Sequence, residues 1–193
     1  MARFREFDTE AAVQAAMVAF RQHGYEGTSI QDLVEATGVG RGSLYAAFGS
    51  KDGLWLAAMD RYREQYAAPL IELLHSGAPA RELIREVLVA VVDDIVRDGN
   101  RLACLIVGAA MERVAEDPET ARRVRTTTQS LEDALTEIIT AGQAAGELAG
   151  RQEPRDLARF VVMTLQGLRV MGAINPDRQS LMAAAEVAVS ALG

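Results

Sequence analysis

Three glycines, Gly24, Gly38 and Gly49, divide the first fifty residues into short helices, and that opening constrains the fold more than any other feature. Before the first glycine, Val13, Met17 and Phe20 recur at i, i+4 and i+7, one face of a helix that Asp8 is placed to cap. After it, Thr28 with Gln31 and Ser29 with Asp32 both have capping-box spacing. A second helix therefore starts there, turns Ile30, Leu33 and Val34 inward, and stops at Gly38. A third runs from about Gly40 to Phe48. Ser50 caps a fourth, on which Trp55, Met59, Tyr62 and Tyr66 share a face, and Pro69 ends or kinks it.

The same helical period continues to the end of the chain. Ile84, Val87, Leu88, Val91 and Ile95 mark a fifth helix, and residues 102–116 a sixth. Pro118 opens a seventh, with Val124, Leu131, Leu135 and Ile138 inward. Pro154 opens an eighth, with Leu157, Phe160, Val161, Leu165 and Leu168, and a ninth fills the remainder. No segment alternates as a strand would, so the expected fold class is all-α.

Composition excludes several function classes. The 193 residues are 49% apolar and 24% charged, close to a globular average. The longest uncharged runs, residues 11–20 and 102–111, are half the length of a membrane span, and the N-terminal residues lack the apolar core of an export signal. A single cysteine, Cys104, excludes an intramolecular disulfide framework, and the expected compartment is the cytoplasm. Net charge is −7, and neither the first 65 residues nor the rest is net basic. Any affinity for nucleic acid must then rest on a local motif. Phosphate loops, dinucleotide glycine fingerprints, nucleophile elbows and metal-ligand clusters are missing, so the chain reads as no enzyme, with no cofactor and no metal. A helical interaction module remains as a third class.

Residues 28–48 carry the most chemical information. Two short helices joined by a tight turn at Gly38 have the arithmetic of a helix-turn-helix, whose second helix enters a major groove roughly 12 Å wide. That helix needs an apolar inner face, which Val39, Leu44 and Phe48 supply, and a polar outer face, which Arg41, Ser43 and Tyr45 supply. Arg41 is placed for a guanine edge or a phosphate, Gly42 for close backbone approach, and Ser43 and Tyr45 for phosphate oxygens. Lys51, the only lysine, adds a cation where the next helix begins. Arg3 and Arg5 form either a groove-binding arm or a solvated terminus.

Three strings in this region, residues 24–30, 36–45 and 48–54, closely resemble the N-terminal domain of the TetR (tetracycline-repressor-like) family. The resemblance implies a homodimeric, ligand-responsive DNA-binding regulator, usually a repressor released from a palindromic operator by a small molecule. It implies a helix-turn-helix domain of three helices over residues 1–50, then six helices over 51–193 for ligand binding and dimerisation. It carries DNA contacts to Thr28, Arg41, Gly42, Ser43, Tyr45 and Lys51. Two departures stand out: Gly40 replaces the usual Ser or Thr cap, and Ala46 and Ala47 replace larger residues after the tyrosine. Residues 104–107, with Glu112 and residues 117–119, are similar to one branch of the family.

The remaining candidates have two readings each. Trp55, Met59, Tyr62 and Tyr66, with Cys104 and Met111, either pack a core or wall a cavity for a largely apolar effector. Cys104 is either a small buried residue or an electrophile-sensing or oxidant-sensing thiol, helped by Arg101 and lying in the first turn of its helix. For the dimer interface, Leu157, Phe160, Val161, Thr164, Leu165 and Leu168 on the eighth helix and Leu181, Ala184, Ala185, Val187 and Ala188 on the ninth are expected to form an intersubunit four-helix bundle.

Overall fold

The computed structural model describes residues 7–98 and 102–193, and the expectations placed on Arg3, Arg5 and Arg101 lie outside them. The described residues form helices and no strand: α1 Thr9–His23, α2 Ile30–Thr37, α3 Arg41–Phe48, α4 Lys51–Tyr62, α5 Ala68–Leu74, α6 Ala80–Asp98, α7 Leu105–Glu112, α8 Pro118–Ala144, α9 Pro154–Ile174 and α10 Arg178–Ser190. The chain forms two compact units. One holds the residues up to Gln65 with Cys104–Val124, the other Tyr66–Ala103 with Arg125–Gly193, so the units do not divide at residue 50.

Local chemistry sets the ends of the first helices. The Asp8 carboxylate accepts from the Ala11 amide to start α1. Ser29 and Asp32 form the reciprocal capping box of α2. The alternative box at Thr28 is not used: Gln31 bonds Glu35, and the Thr28 hydroxyl donates back to the Gly24 carbonyl. Gly40 caps α3 without a side-chain bond, and Ser50 caps α4 through the Gly53 amide.

Two expected boundaries move. The fourth helix does not stop near Pro69. A π-helical stretch, Arg63–Ala67, separates α4 from α5, and Pro69 sits in the first turn of α5, where its missing N–H costs little. The sixth helix is shorter than residues 102–116. Cys104 is extended and stands at the N-cap of α7, before the first turn, and Arg113 ends the helix.

In the first unit, Met17, Phe20, Leu33, Leu44, Leu54 and Trp55 are fully buried and hold α1 to α4 together. In the second, the β-branched residues of α6 are helical and central, packing with Leu135 and Ile139 of α8 and with α9 and α10. At about 1.5–3 kcal/mol per fully buried large apolar side chain, this core supplies most of the unit's stability.

Most residues expected at the dimer interface are buried within the second unit itself. Leu157, Val161, Leu165, Leu168, Leu181, Ala185 and Ala188 are buried in the protomer's own core. Phe160, Ala184 and Val187 face outward, and Thr164 is half-buried with its hydroxyl on the Phe160 carbonyl. The outward side of α9 carries Met163, Val170, Met171 and Ile174 as well. Because α9 is apolar on both sides, its period shows two candidate faces without ranking them. At 21 residues, with a mean hydropathy of 1.4 over an 18-residue window, α9 is long and apolar enough to cross a bilayer by length and composition alone. Arg155, Asp156, Arg159 and Arg169 interrupt it, so it holds no uncharged run as long as residues 11–20.

Candidate nucleic-acid interface

The turn between α2 and α3 is built by Gly38, whose left-handed backbone (φ 67°, ψ 10°) closes α2 with its amide on the Val34 carbonyl. The Thr37 hydroxyl donates to the Leu33 carbonyl and accepts from the Val39 amide, pinning the start of the turn. Across the turn, Leu44 is buried and Val39 and Phe48 are half-buried, so α3 has the inward face its sequence implied. Close packing against α4 needs Gly53, where a Cβ would come within 1.9 Å of the Phe48 carbonyl oxygen.

The other face of α3 is open. Arg41, Gly42 and Ala46 are exposed, Tyr45 is 40% exposed, and Ser43 is half-buried. The Arg41 guanidinium lies 5.8 Å from the Tyr45 ring centroid. A Cβ at Gly42 would meet nothing within 4 Å. Packing inside the protomer therefore does not demand a glycine there.

Thr28 differs from the other five expected contacts in its complete burial. Its side chain is fully buried and its hydroxyl is committed to Gly24, so its role is to brace the α1–α2 turn and its side chain is not placed for DNA. Lys51, half-buried at the start of α4, has its Nζ 4.1 Å from the Tyr25 ring centroid.

The polar residues around that ring were not among the candidates that the sequence offered. The Tyr25 hydroxyl donates to Asp52 at 2.7 Å, and the Tyr25 amide donates to the Glu112 carboxylate at 2.7 Å. The Arg113 guanidinium lies 4.0 Å from the ring centroid and pairs with Asp52 at 2.9 Å and, at longer range, with Asp117 and Glu26. Burial, with Asp52 accepting the hydroxyl, pushes the Tyr25 phenol up to about 12. The Thr120 hydroxyl and two amides hold Asp117 below the usual carboxylate range, and the same Thr120 hydroxyl accepts from the Trp55 indole. Tyr25, Asp52 and Glu112 all stand in or beside the strings quoted above. No local signal links positions 87 apart in sequence.

The expected effector-pocket residues are placed differently. Trp55 belongs to an aromatic cluster, edge-on to Phe20 and Tyr25 at 5.0 and 5.3 Å. Met59 is core, and Met111 is 82% exposed, which removes it as a cavity residue. The Tyr62 hydroxyl donates to Cys104 Sγ at 3.3 Å, both groups buried. The Tyr66 hydroxyl reaches Asp98 at 3.5 Å. A depression of about 400 Å³ in the second unit, floored by Leu83 and Ile138 and rimmed by His75 and Glu137, includes none of these six.

Comparison with known proteins agrees with this geometry. Residues 12–58 match the family model for bacterial regulatory proteins of the tetR family, and residues 79–193 match that of the BetI-type transcriptional repressor C-terminal domain. The chain is 34% identical to the HTH-type transcriptional regulator YezE of Bacillus subtilis, covering all of both chains. It is 29% identical to the HTH-type transcriptional repressor ComR of Escherichia coli, over 93% of this chain and 86% of that one. Among solved structures, a cysteine mutant of the TetR family regulator CifR, complexed with 26-bp operator DNA, superposes with a TM-score of 0.87 at 33% identity, over 99% of this chain and all of the other. Fold, recognition segment and relatives converge: the chain is a transcriptional regulator of the TetR family.

Proposed function

We propose that this protein is a homodimeric repressor that grips a palindromic operator with two copies of α3 and releases it when a small molecule binds. The open face of α3 carries the reading: Arg41 and Tyr45 reach outward on either side of a glycine that nothing in the protomer requires. Arg41 reads a base edge or a phosphate, Ser43, Tyr45 and Lys51 hold phosphates, and Gly42 lets the backbone approach. ComR is named a repressor and CifR is seen with operator DNA, which supports the same role here. A DNA-binding role is consistent with the expected cytoplasmic location.

Two half-sites need recognition helices about 34–36 Å apart, or a multiple, which takes two protomers. Six of the nine exposed large apolar side chains among the described residues lie on α9 and α10, and these supply the dimer face. Gly167, on the same side of α9, meets nothing and lets a second helix come close. Release follows if the effector binds best to a dimer whose recognition helices are wrongly spaced.

The test is fluorescence anisotropy with a duplex that the wild-type protein selects from a random pool. Tight, salt-dependent binding to a palindrome is expected. Failure to enrich any sequence over bulk DNA would overturn the reading. A second reading places the signal at Cys104, favoured by one contact: the buried Tyr62 hydroxyl donates to its sulfur at 3.3 Å. Equal operator release by a thiol electrophile from wild type and Cys104→Ser would remove it.

A further inference from the structure

We infer that Arg113, at the end of α7, is a positioning residue for operator binding that acts through the Tyr25 ring on Lys51. The inference rests on the reading above that Lys51 holds a phosphate.

A lysine on a four-carbon stem is a poor fixed point for a phosphate, because holding it costs side-chain entropy. Here the ammonium is placed over an aromatic face, 4.1 Å from the Tyr25 centroid. The ring can serve as a platform only if it is itself fixed: Phe20 and Trp55 pack against it, and three polar groups hold the residue in place. Asp52 accepts its hydroxyl, Glu112 accepts its amide, and the Arg113 guanidinium lies 4.0 Å from its centroid. Arg113 is largely buried, and its NH2 bonds the same Asp52 oxygen that the Tyr25 hydroxyl uses. Phenol, carboxylate and guanidinium thus close a ring of contacts with Lys51 at its edge. Gly24 permits the approach, since a Cβ there would come within 2.1 Å of the Glu112 carboxylate.

Loss of Arg113 should therefore cost the Lys51 contact, although residue 113 is far from α3 in sequence. The experiment uses the full-length dimer and the duplex selected by wild type, with affinity measured over a range of salt concentrations. Lys51→Ala should weaken binding about fivefold per half-site near 0.15 M salt and flatten the slope of log affinity against log salt by about one per half-site. Arg113→Met should give the same loss and the same flattening, and the double variant should lose nothing more. Thermal unfolding and dimer mass are measured on each variant.

If Lys51→Ala changes neither affinity nor slope, the assignment of Lys51 to DNA fails. If Lys51→Ala weakens binding and Arg113→Met does not, or if the two losses multiply, Arg113 does not act through Lys51. Asp52→Ala gives a second route should Arg113→Met not fold, because Asp52 is half-exposed. Removing a carboxylate beside DNA tightens binding by charge alone. The positioning role demands the opposite sign, weaker binding with a flatter slope, and tighter binding by Asp52→Ala overturns it.

Discussion

Helices α3 and α9 are both buried on one side and open on the other, yet their open sides have opposite character. On α3 the open side is Arg41, Gly42, Tyr45 and Ala46, small or hydrogen-bonding groups spread over two turns. On α9 it is Phe160, Met163, Gly167, Val170, Met171 and Ile174, with Met163 and Ile174 each 69% exposed. An isolated exposed apolar residue means little; a row of them at helical spacing marks an interface. The inward sides of the two helices are interchangeable in kind, Leu44 and Phe48 against Leu157, Val161 and Leu165. On the function proposed above, what each helix leaves uncovered suits α3 to a polyanion and α9 to a second copy of the chain.

The largest expected effect breaks the α9 side of that comparison. Met163→Glu with Ile174→Glu leaves the protomer core untouched and should give folded monomers by light scattering. Operator affinity should then fall by roughly 10²–10⁴ as the two half-sites lose their linkage. Leu165→Glu, by contrast, should unfold the second unit, because Leu165 is buried within it. Dimers surviving the double glutamate change would move the interface elsewhere.

On the α3 side, Arg41→Ala should cost about 1–3 kcal/mol per half-site and relax specificity at one base position. Competition between single-base operator variants checks this, and uniform weakening across all of them would reassign Arg41 from base to phosphate.

The polar clasp around Tyr25 also predicts a pH dependence that the apolar α9 face lacks. The Tyr25 phenol titrates near 12 when folded against 10.0 ordinarily. A raised folded value means the protonated hydroxyl stabilises the fold fully below pH 10, and that contribution is lost as pH climbs through 12. Urea unfolding should show wild type more stable than Tyr25→Phe by of order 2 kcal/mol at about pH 9, with the gap closing as the solution becomes more alkaline. A constant gap would show that the hydroxyl is not the source. The smallest effect concerns the start of α3, whose Gly40 cap lacks a side-chain bond: Gly40→Ser should add about a few tenths of a kcal/mol, seen as a slight rise in Tm.

Much of this was legible in the sequence, for local reasons. Ser29 and Asp32 sit three apart, Gly38 follows the last inward residue, and Leu44 and Phe48 fall on one side of α3, so the helix-turn-helix could be drawn from neighbours alone. Two kinds of information were not local. The face of α9 that packs inward depends on α6 and α10, which share its period and say nothing about direction. The clasp on Tyr25 depends on Glu112 and Arg113 arriving from a distant helix. Thr28 shows a third limit: a hydroxyl at the start of a helix suits a phosphate and a backbone carbonyl equally well, and its complete burial decides for the carbonyl.

Lys51 is the only lysine in the chain, and every other cationic side chain apart from the two histidines is an arginine. Amine chemistry therefore finds a single side chain. Reductive methylation with ¹³C-formaldehyde would place one side-chain methyl resonance at the start of α4, beside the Tyr25 ring, whose current would shift it upfield. That resonance would move on addition of DNA and broaden if the ring contact were lost, so one line in a carbon spectrum would follow the protein on and off its operator.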